Sequence, residues 1–177
     1  MHEDLREEIE IPENVDVSVN HEIIVKGPKG EVKRRLQIKV DKEDNKIIIE
    51  AKKATKNTKR MIKTTAAHIK NMIKGVTEGY EYLLQVCSVH FPITVSIDKN
   101  KLIIKNFLGE TKERKADLLP NTTTKIEGDI IKITSPDKEA AGQTAANIEF
   151  ASKIKNRDRR RFQDGIWIVK KAEEDFR

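Results

Sequence analysis

The sequence predicts an α+β protein made of two duplicated domains, each an antiparallel β-sheet packed against one α-helix. Three observations carry this. Most apolar residues recur with period two in short runs closed by turn residues, the pattern of half-buried strands. One segment in each half switches to the 3.6-residue period of an amphipathic helix. Finally, motifs of the first half return in the same order in the second, the mark of an internal repeat.

Residues 1–13 form an acidic leader, with Glu3, Asp4, Glu7, Glu8, Glu10 and Glu13 against Arg6 alone. Val15, Val17 and Val19 then alternate, and Ile23 to Val25 follow the polar Asn20-His21-Glu22. Gly27-Pro28-Lys29-Gly30 is a reversing turn, and Glu31 to Val40 returns as the second arm of a hairpin. Asp41 to Asn45 reads as another turn and Lys46 to Ala51 as a short strand. From Thr55 to Gly75 the residues Ile62, Ala66, Ile69 and Ile73 recur at i, i+4, i+7 and i+11 and define a helix. Thr55 or Thr58 offers its N-cap and Gly75 its C-cap. This helix carries Lys56, Lys59, Arg60, Lys63, Lys70 and Lys74 and no acidic residue. A solvated face and an RNA-contacting face suit those cations equally. Tyr80 to Phe91 reads as a strand.

The second half repeats the plan. Val17-Ser18-Val19 corresponds to Val95-Ser96-Ile97, Ile24-Val25-Lys26 to Ile103-Ile104-Lys105, and Ile47-Ile48 to Ile130-Ile131. Gly109 lies 79 residues after Gly30, and the helical Thr144-Ala145-Ala146 lies 79 after Thr65-Ala66-Ala67. One offset over both hairpin and helix makes chance coincidence a poor account. The domains are therefore placed at residues 1–88 and 89–177. The second helix runs from Pro136 to Ile154, and its alanines permit close approach to the sheet. Lys153 to Arg161 is the densest basic run, Phe162 to Val169 a final strand, and Lys170 to Arg177 a tail of mixed charge.

Composition narrows the function. In 177 residues, 35 Lys and Arg face 29 Asp and Glu, a net charge of +6, and 37% of residues are hydrophobic. That supports a packed core, though a thin one, since an 80-residue domain buries only about 60% of its unfolded surface. The basic balance points to a polyanionic partner. Apolar runs such as Ile47-Ile48-Ile49 fall far short of the ~20 residues that span a bilayer. The acidic Met1-His2-Glu3-Asp4 lacks the apolar stretch of a signal peptide, and Cys87 stands alone. A soluble intracellular protein without a membrane partner is expected. None of the four histidines lies at i, i+4 from another, and no HExxH is present. The Gly27 to Gly30 turn lacks the phosphate-loop pattern, and no nucleophile elbow or carboxylate pair is found. No enzymatic activity, cofactor, metal or small-molecule substrate is expected.

The basic run is the strongest chemical signal. Lys153, Lys155, Arg157, Arg159, Arg160 and Arg161 would displace counterions from a phosphate backbone, and Arg adds bidentate phosphate contacts. Phe162 and Trp167 flank the run, which fits an ordered extension better than a loose tail. Aromatic residues make up 5% of the chain, too few for a base-stacking platform. Recognition of folded RNA by backbone and shape fits better.

Val25-Lys26-Gly27-Pro28-Lys29-Gly30-Glu31, the segment from Asn71-Met72-Ile73 through Gly75-Val76-Thr77 to Gly79-Tyr80, the duplication, and Gln143-Thr144-Ala145-Ala146 together resemble the family of large-subunit ribosomal protein six. The resemblance covers almost the whole chain. His90-Phe91-Pro92 and Asp164-Gly165-Ile166-Trp167 are similar to its archaeal and eukaryotic branch and depart from the bacterial pattern. The resemblance implies a structural protein of the cytoplasmic ribosome whose second domain binds large-subunit rRNA near the sarcin-ricin loop and stalk base. Neighbouring large-subunit proteins and translational GTPase factors would lie close by, with the first domain the more exposed half. Transferred to this chain, the anchor falls on the loop from Lys105 and Asn106 to Lys112, on Lys153 to Arg161, and on Ser88 and His90 at the domain junction. The alternative from a different class is a free-standing RNA-binding regulator built on the same unit.

Overall fold

The computed structural model describes residues 3–36, 38–43, 45–172 and 174–175. The chain divides into two units, Met1–Gly79 and Tyr80–Arg177. The first contains β1 (Glu3–Glu10), β2 (Asp16–Val19), β3 (Glu22–Gly27), β4 (Gly30–Arg35), β5 (Asp41–Glu43), β6 (Lys46–Ala54) and α1 (Lys56–Thr77). Its strands form two antiparallel three-stranded sheets, β1-β6-β5 and β2-β3-β4. Strand alternation sends Val17, Ile23, Val25, Ile47 and Ile49 into the core, where they meet Ile62, Ala66, Ile69, Ile73 and Val76 of α1. Each of these valine and isoleucine side chains contributes about 1.5–3 kcal/mol when removed from water.

Three local expectations change. Within the acidic leader, Glu3–Glu10 is a strand: Ile9 is buried, while Arg6 on the outer face bridges to Glu8 at 3.0 Å and Glu50 at 3.3 Å. Part of the expected turn at Asp41 to Asn45 pairs with β6 as the short, wholly polar edge strand β5. Charged residues on a short edge are compatible with pairing and discourage association with other chains. Helix α1 does not stop at Gly75, which is buried inside it. It runs to Thr77, and Gly79, at φ +80°, supplies the left-handed residue beyond the end.

The second unit contains β7 (Tyr80–Cys87), β8 (Thr94–Asp98), β9 (Lys101–Lys105), a 3-10 turn (Phe107–Gly109), β10 (Arg114–Asp117), β11 (Thr123–Glu127), β12 (Ile130–Ser135), α2 (Lys138–Ala151), β13 (Gly165–Lys171) and β14 (Glu174–Asp175). Its sheets are β8-β9-β10 and β11-β12-β7-β13-β14. The duplication is visible strand by strand. β2-β3-β4 matches β8-β9-β10, and β5-β6-β1 matches β11-β12-β7, each followed by its helix; β13 and β14 extend the second unit alone.

This equivalence moves the boundary expected after Ser88. Tyr80–Cys87 is the second unit's counterpart of β1, paired on one side with β12 and on the other with β13. Helix α2 starts after Pro136, because the Asp137 carboxylate caps it by accepting from Glu139 N at 2.9 Å. It ends at Ala151, earlier than Ile154, and packs Ala141 and Ala145 fully buried on the sheet. The tail expected from Lys170 is in part β13 and β14; residues 173, 176 and 177 lie outside the described residues.

Candidate nucleic-acid interface

Three segments of the second unit converge: residues 88–92 after β7, the loop 106–113 between β9 and β10, and the stretch 153–164 between α2 and β13. Arg114 joins the last two. Its guanidinium donates to both Glu110 carboxylate oxygens, at 2.8 and 2.6 Å, and to the carbonyls of Ala151 and Lys153, at 3.1 and 3.0 Å. The same group lies 4.1 Å from the centre of the buried Phe107 ring. Bidentate pairing and stacking together fix a guanidinium far more firmly than either alone. It also satisfies carbonyls at the α2 C-terminus that no intrahelical donor reaches.

Asp164 joins the first and third segments. Its side chain is 1% exposed and accepts from Val89 N at 2.8 Å, His90 N at 3.0 Å and His90 Nδ1 at 2.6 Å. Burial pushes this carboxyl up, but the hydrogen bonds from His90 and Val89 outweigh burial and hold it below the usual carboxylate range. The His90 ring then stacks on Phe162 with centroids 4.8 Å apart. Asn106, in a left-handed conformation at φ 57°, donates its amide to Pro92 O at 3.0 Å, tying the second segment to the first.

On this frame sit the cations. Arg157 covers the Phe162 ring at 4.8 Å, Arg159 the Trp167 ring at 5.0 Å, and Lys153 the Phe150 ring at 5.2 Å. Arg159, Arg160, Phe162, Gln163 and Trp167 line an open cleft of about 430 Å³. Arg160 is engaged by Asp158 at 2.8 Å and Lys105 by Glu113 at 3.0 Å, so each carries its own counter-charge. Hydrogen bonds from Arg160 lower the Asp158 carboxyl, and the Lys105 ammonium lowers that of Glu113. Glu110 is lowered by its hydrogen bonds to Arg114, with the charge of Arg157 adding to the effect. Lys112, Lys155 and Arg161 are exposed and, among the described residues, have no ion-pair partner.

The sequence-predicted residues thus sort into roles. Lys112, Lys153, Lys155, Arg157, Arg159 and Arg161 present charge outward, while Arg160 and Lys105 present charge already paired. Asn106 and His90 hold the frame, and Ser88 is exposed beside it. Sequence reasoning missed Arg114, Glu110 and Asp164. Asp164 had a signal, since it opens the Asp164-Gly165-Ile166-Trp167 segment; Arg114 stands in no motif, and its role exists only in space.

A duplicated α+β scaffold with a braced cationic rim defines an architectural protein equipped to hold a polyanion. The model of the family described as Ribosomal protein L6 matches residues 11–79 and 91–165. The large ribosomal subunit protein uL6 of Methanobrevibacter smithii is 46% identical over 171 residues, covering 94% of this chain and 96% of its own length. That of Methanococcus vannielii is 47% identical over 172 residues, covering 95% of this chain and 94% of its own length. The chain belongs to the ribosomal protein L6 family. It is accordingly a ribosomal protein of the large subunit, located in the cytoplasmic ribosome, with a structural role and not an enzymatic one.

Proposed function

We propose that the second unit anchors the chain on large-subunit rRNA near the sarcin-ricin loop and stalk base, bracing the region where translational GTPases dock. The observation that supports this best is the preorganisation of the basic rim. Arg114, Asp164 and the aromatic stacks order three loops before any RNA arrives, so binding loses less conformational entropy than a loose basic tail would. Lys112, Lys153, Lys155, Arg157, Arg159 and Arg161 contact phosphates, with Arg160 and Lys105 joining if they exchange their carboxylate partners for phosphate. Such contacts set register and orientation; they carry no base sequence. Ser88 and His90 edge the same surface, and the first unit is the more exposed half. Neighbouring large-subunit proteins pack around the anchor.

The test is a salt titration of binding to an RNA fragment carrying the sarcin-ricin region, against an unrelated folded RNA. Wild type keeps its preference for the fragment as salt rises. Lys155→Glu with Arg161→Glu, two exposed changes that disturb no packing, flattens the slope of log K against log salt by roughly 0.7–0.9 per lost contact. Glu10→Lys with Glu13→Lys leaves affinity undiminished. Equal binding to both RNAs, vanishing together with salt, would instead mean unspecific charge attraction and refute the anchor.

A further inference from the structure

We infer that the first unit carries a second, independent polyanion-binding face along α1, suited to the phosphate backbone of double-stranded RNA. Lys56, Lys59, Arg60, Lys63, Lys70 and Lys74 are all exposed. With 3.6 residues per turn, they fall within an arc of about 100° opposite the buried face, and the stripe runs about 27 Å along the helix.

Several cations on the strands and loops of the same unit have carboxylate partners: Lys33 with Glu31 at 2.9 Å, Lys46 with Glu8 at 3.3 Å, Lys39 with Asp41 at 3.4 Å. On α1, among the described residues, Lys56, Lys59, Lys63 and Lys70 have no such partner, and Arg60 reaches only the amide oxygen of Asn57 at 2.9 Å. The helix works against itself electrostatically. Lys56 and Arg60, Lys59 and Lys63, and Lys70 and Lys74 are like charges at i, i+4, which repel. Lys56 and Lys59 sit in or beside the first turn, which holds no acidic residue, at the positive end of the helix dipole. In contrast, α2 opens with Asp137 and Glu139. A polyanion along the stripe would relieve both effects.

The chemistry selects among anionic partners. The apolar face of α1 is occupied by the unit's own core, so none remains to enter a lipid surface. A protein partner would call for a buried aromatic or aliphatic anchor. Yet the exposed large apolar side chains among the described residues, Val89, Phe91, Ile97, Ile130 and Phe150, all belong to the second unit. A regular row of cations without an anchor matches a regular row of phosphates.

The experiment uses the full chain carrying Lys155→Glu and Arg161→Glu, which weakens the rim of the second unit, and an RNA duplex of about 20 base pairs, longer than the ~16 that a double-stranded RNA module spans. Adding Lys59→Glu and Lys63→Glu lowers the remaining affinity and flattens its salt slope by a further one to two units. The equal charge change at Lys33→Glu and Lys39→Glu has a smaller effect, and the thermal midpoint of the α1 variant is unchanged or raised. Lys63→Gln with Lys70→Gln gives the same direction without reversing charge, and keeps the test valid if the double reversal misfolds. Identical duplex binding in the α1 and control variants would overturn the inference, as would stripe-dependent capture of poly-glutamate but not of duplex. If Lys155→Glu and Arg161→Glu by themselves cost no binding, the reading of the second unit fails, separately from this one.

Discussion

Asp164 shows how one buried side chain serves a surface. It satisfies two backbone N–H groups and the His90 ring at once, and without it residues 88–92 and 153–164 lose their shared partner. Asp164→Asn leaves one acceptor but places an amide against His90 Nδ1; a cost of about 1–3 kcal/mol follows from leaving buried polar groups mismatched. The pH dependence has a definite sign. A carboxyl whose folded pKa is depressed contributes stability that is present above its unfolded value, about 3.9, and is lost as pH falls through the folded value. Denaturant unfolding between about pH 2 and 6, a window of roughly 2 units either side of that value, should therefore show an acid-side loss in wild type. In Asp164→Asn this loss is smaller, and an identical pH profile in both proteins would contradict the role given to the carboxylate.

At the scale of elements, the Gly27-Pro28-Lys29-Gly30 turn docks on the end of α1. Lys29 N donates to Val76 O at 2.9 Å, satisfying a carbonyl near the helix C-terminus, and Gly27 makes the approach possible. A Cβ at Gly27 would lie 2.8 Å from both Val76 O and Val76 Cγ2. Gly27→Ala therefore destabilises the first unit by about 1–3 kcal/mol, as overpacking does, measurable as a lower thermal midpoint with the second unit unaffected. The turn was legible in the sequence as a turn; its partner was not, because nothing local in Gly27 to Gly30 refers to Val76. Helices and most strands were legible through their apolar period. β1 and β5 were not, since strands that are mostly charged carry too few apolar residues to declare a face.

For the whole molecule, the decisive feature is where the chain divides. Each unit closes its own core, with Ile9 to Val76 in one and Tyr82 to Ile166 in the other. Fragments 1–79 and 80–177 should each give cooperative unfolding and dispersed NMR spectra. Fragments cut at 88 should fail: the first would expose Tyr82, Leu84 and Val86 on an unpaired strand, and the second would lose the strand between β12 and β13. Well-folded fragments from the cut at 88 would refute this division.

The amino-acid sequence alone determined the fold class, the duplication, the basic run and the family resemblance, because apolar period, motif order and charge density are local or simply repetitive properties. The tertiary structure decided which unit owns Tyr80–Cys87, which cations are already neutralised, and how Arg114 and Asp164 brace three loops. Those depend on contacts between residues distant in the chain, such as the 74 or 75 positions between Asp164 and the 89–90 backbone. No local pattern encodes a partner that far away; only the packed chain brings it within hydrogen-bond reach.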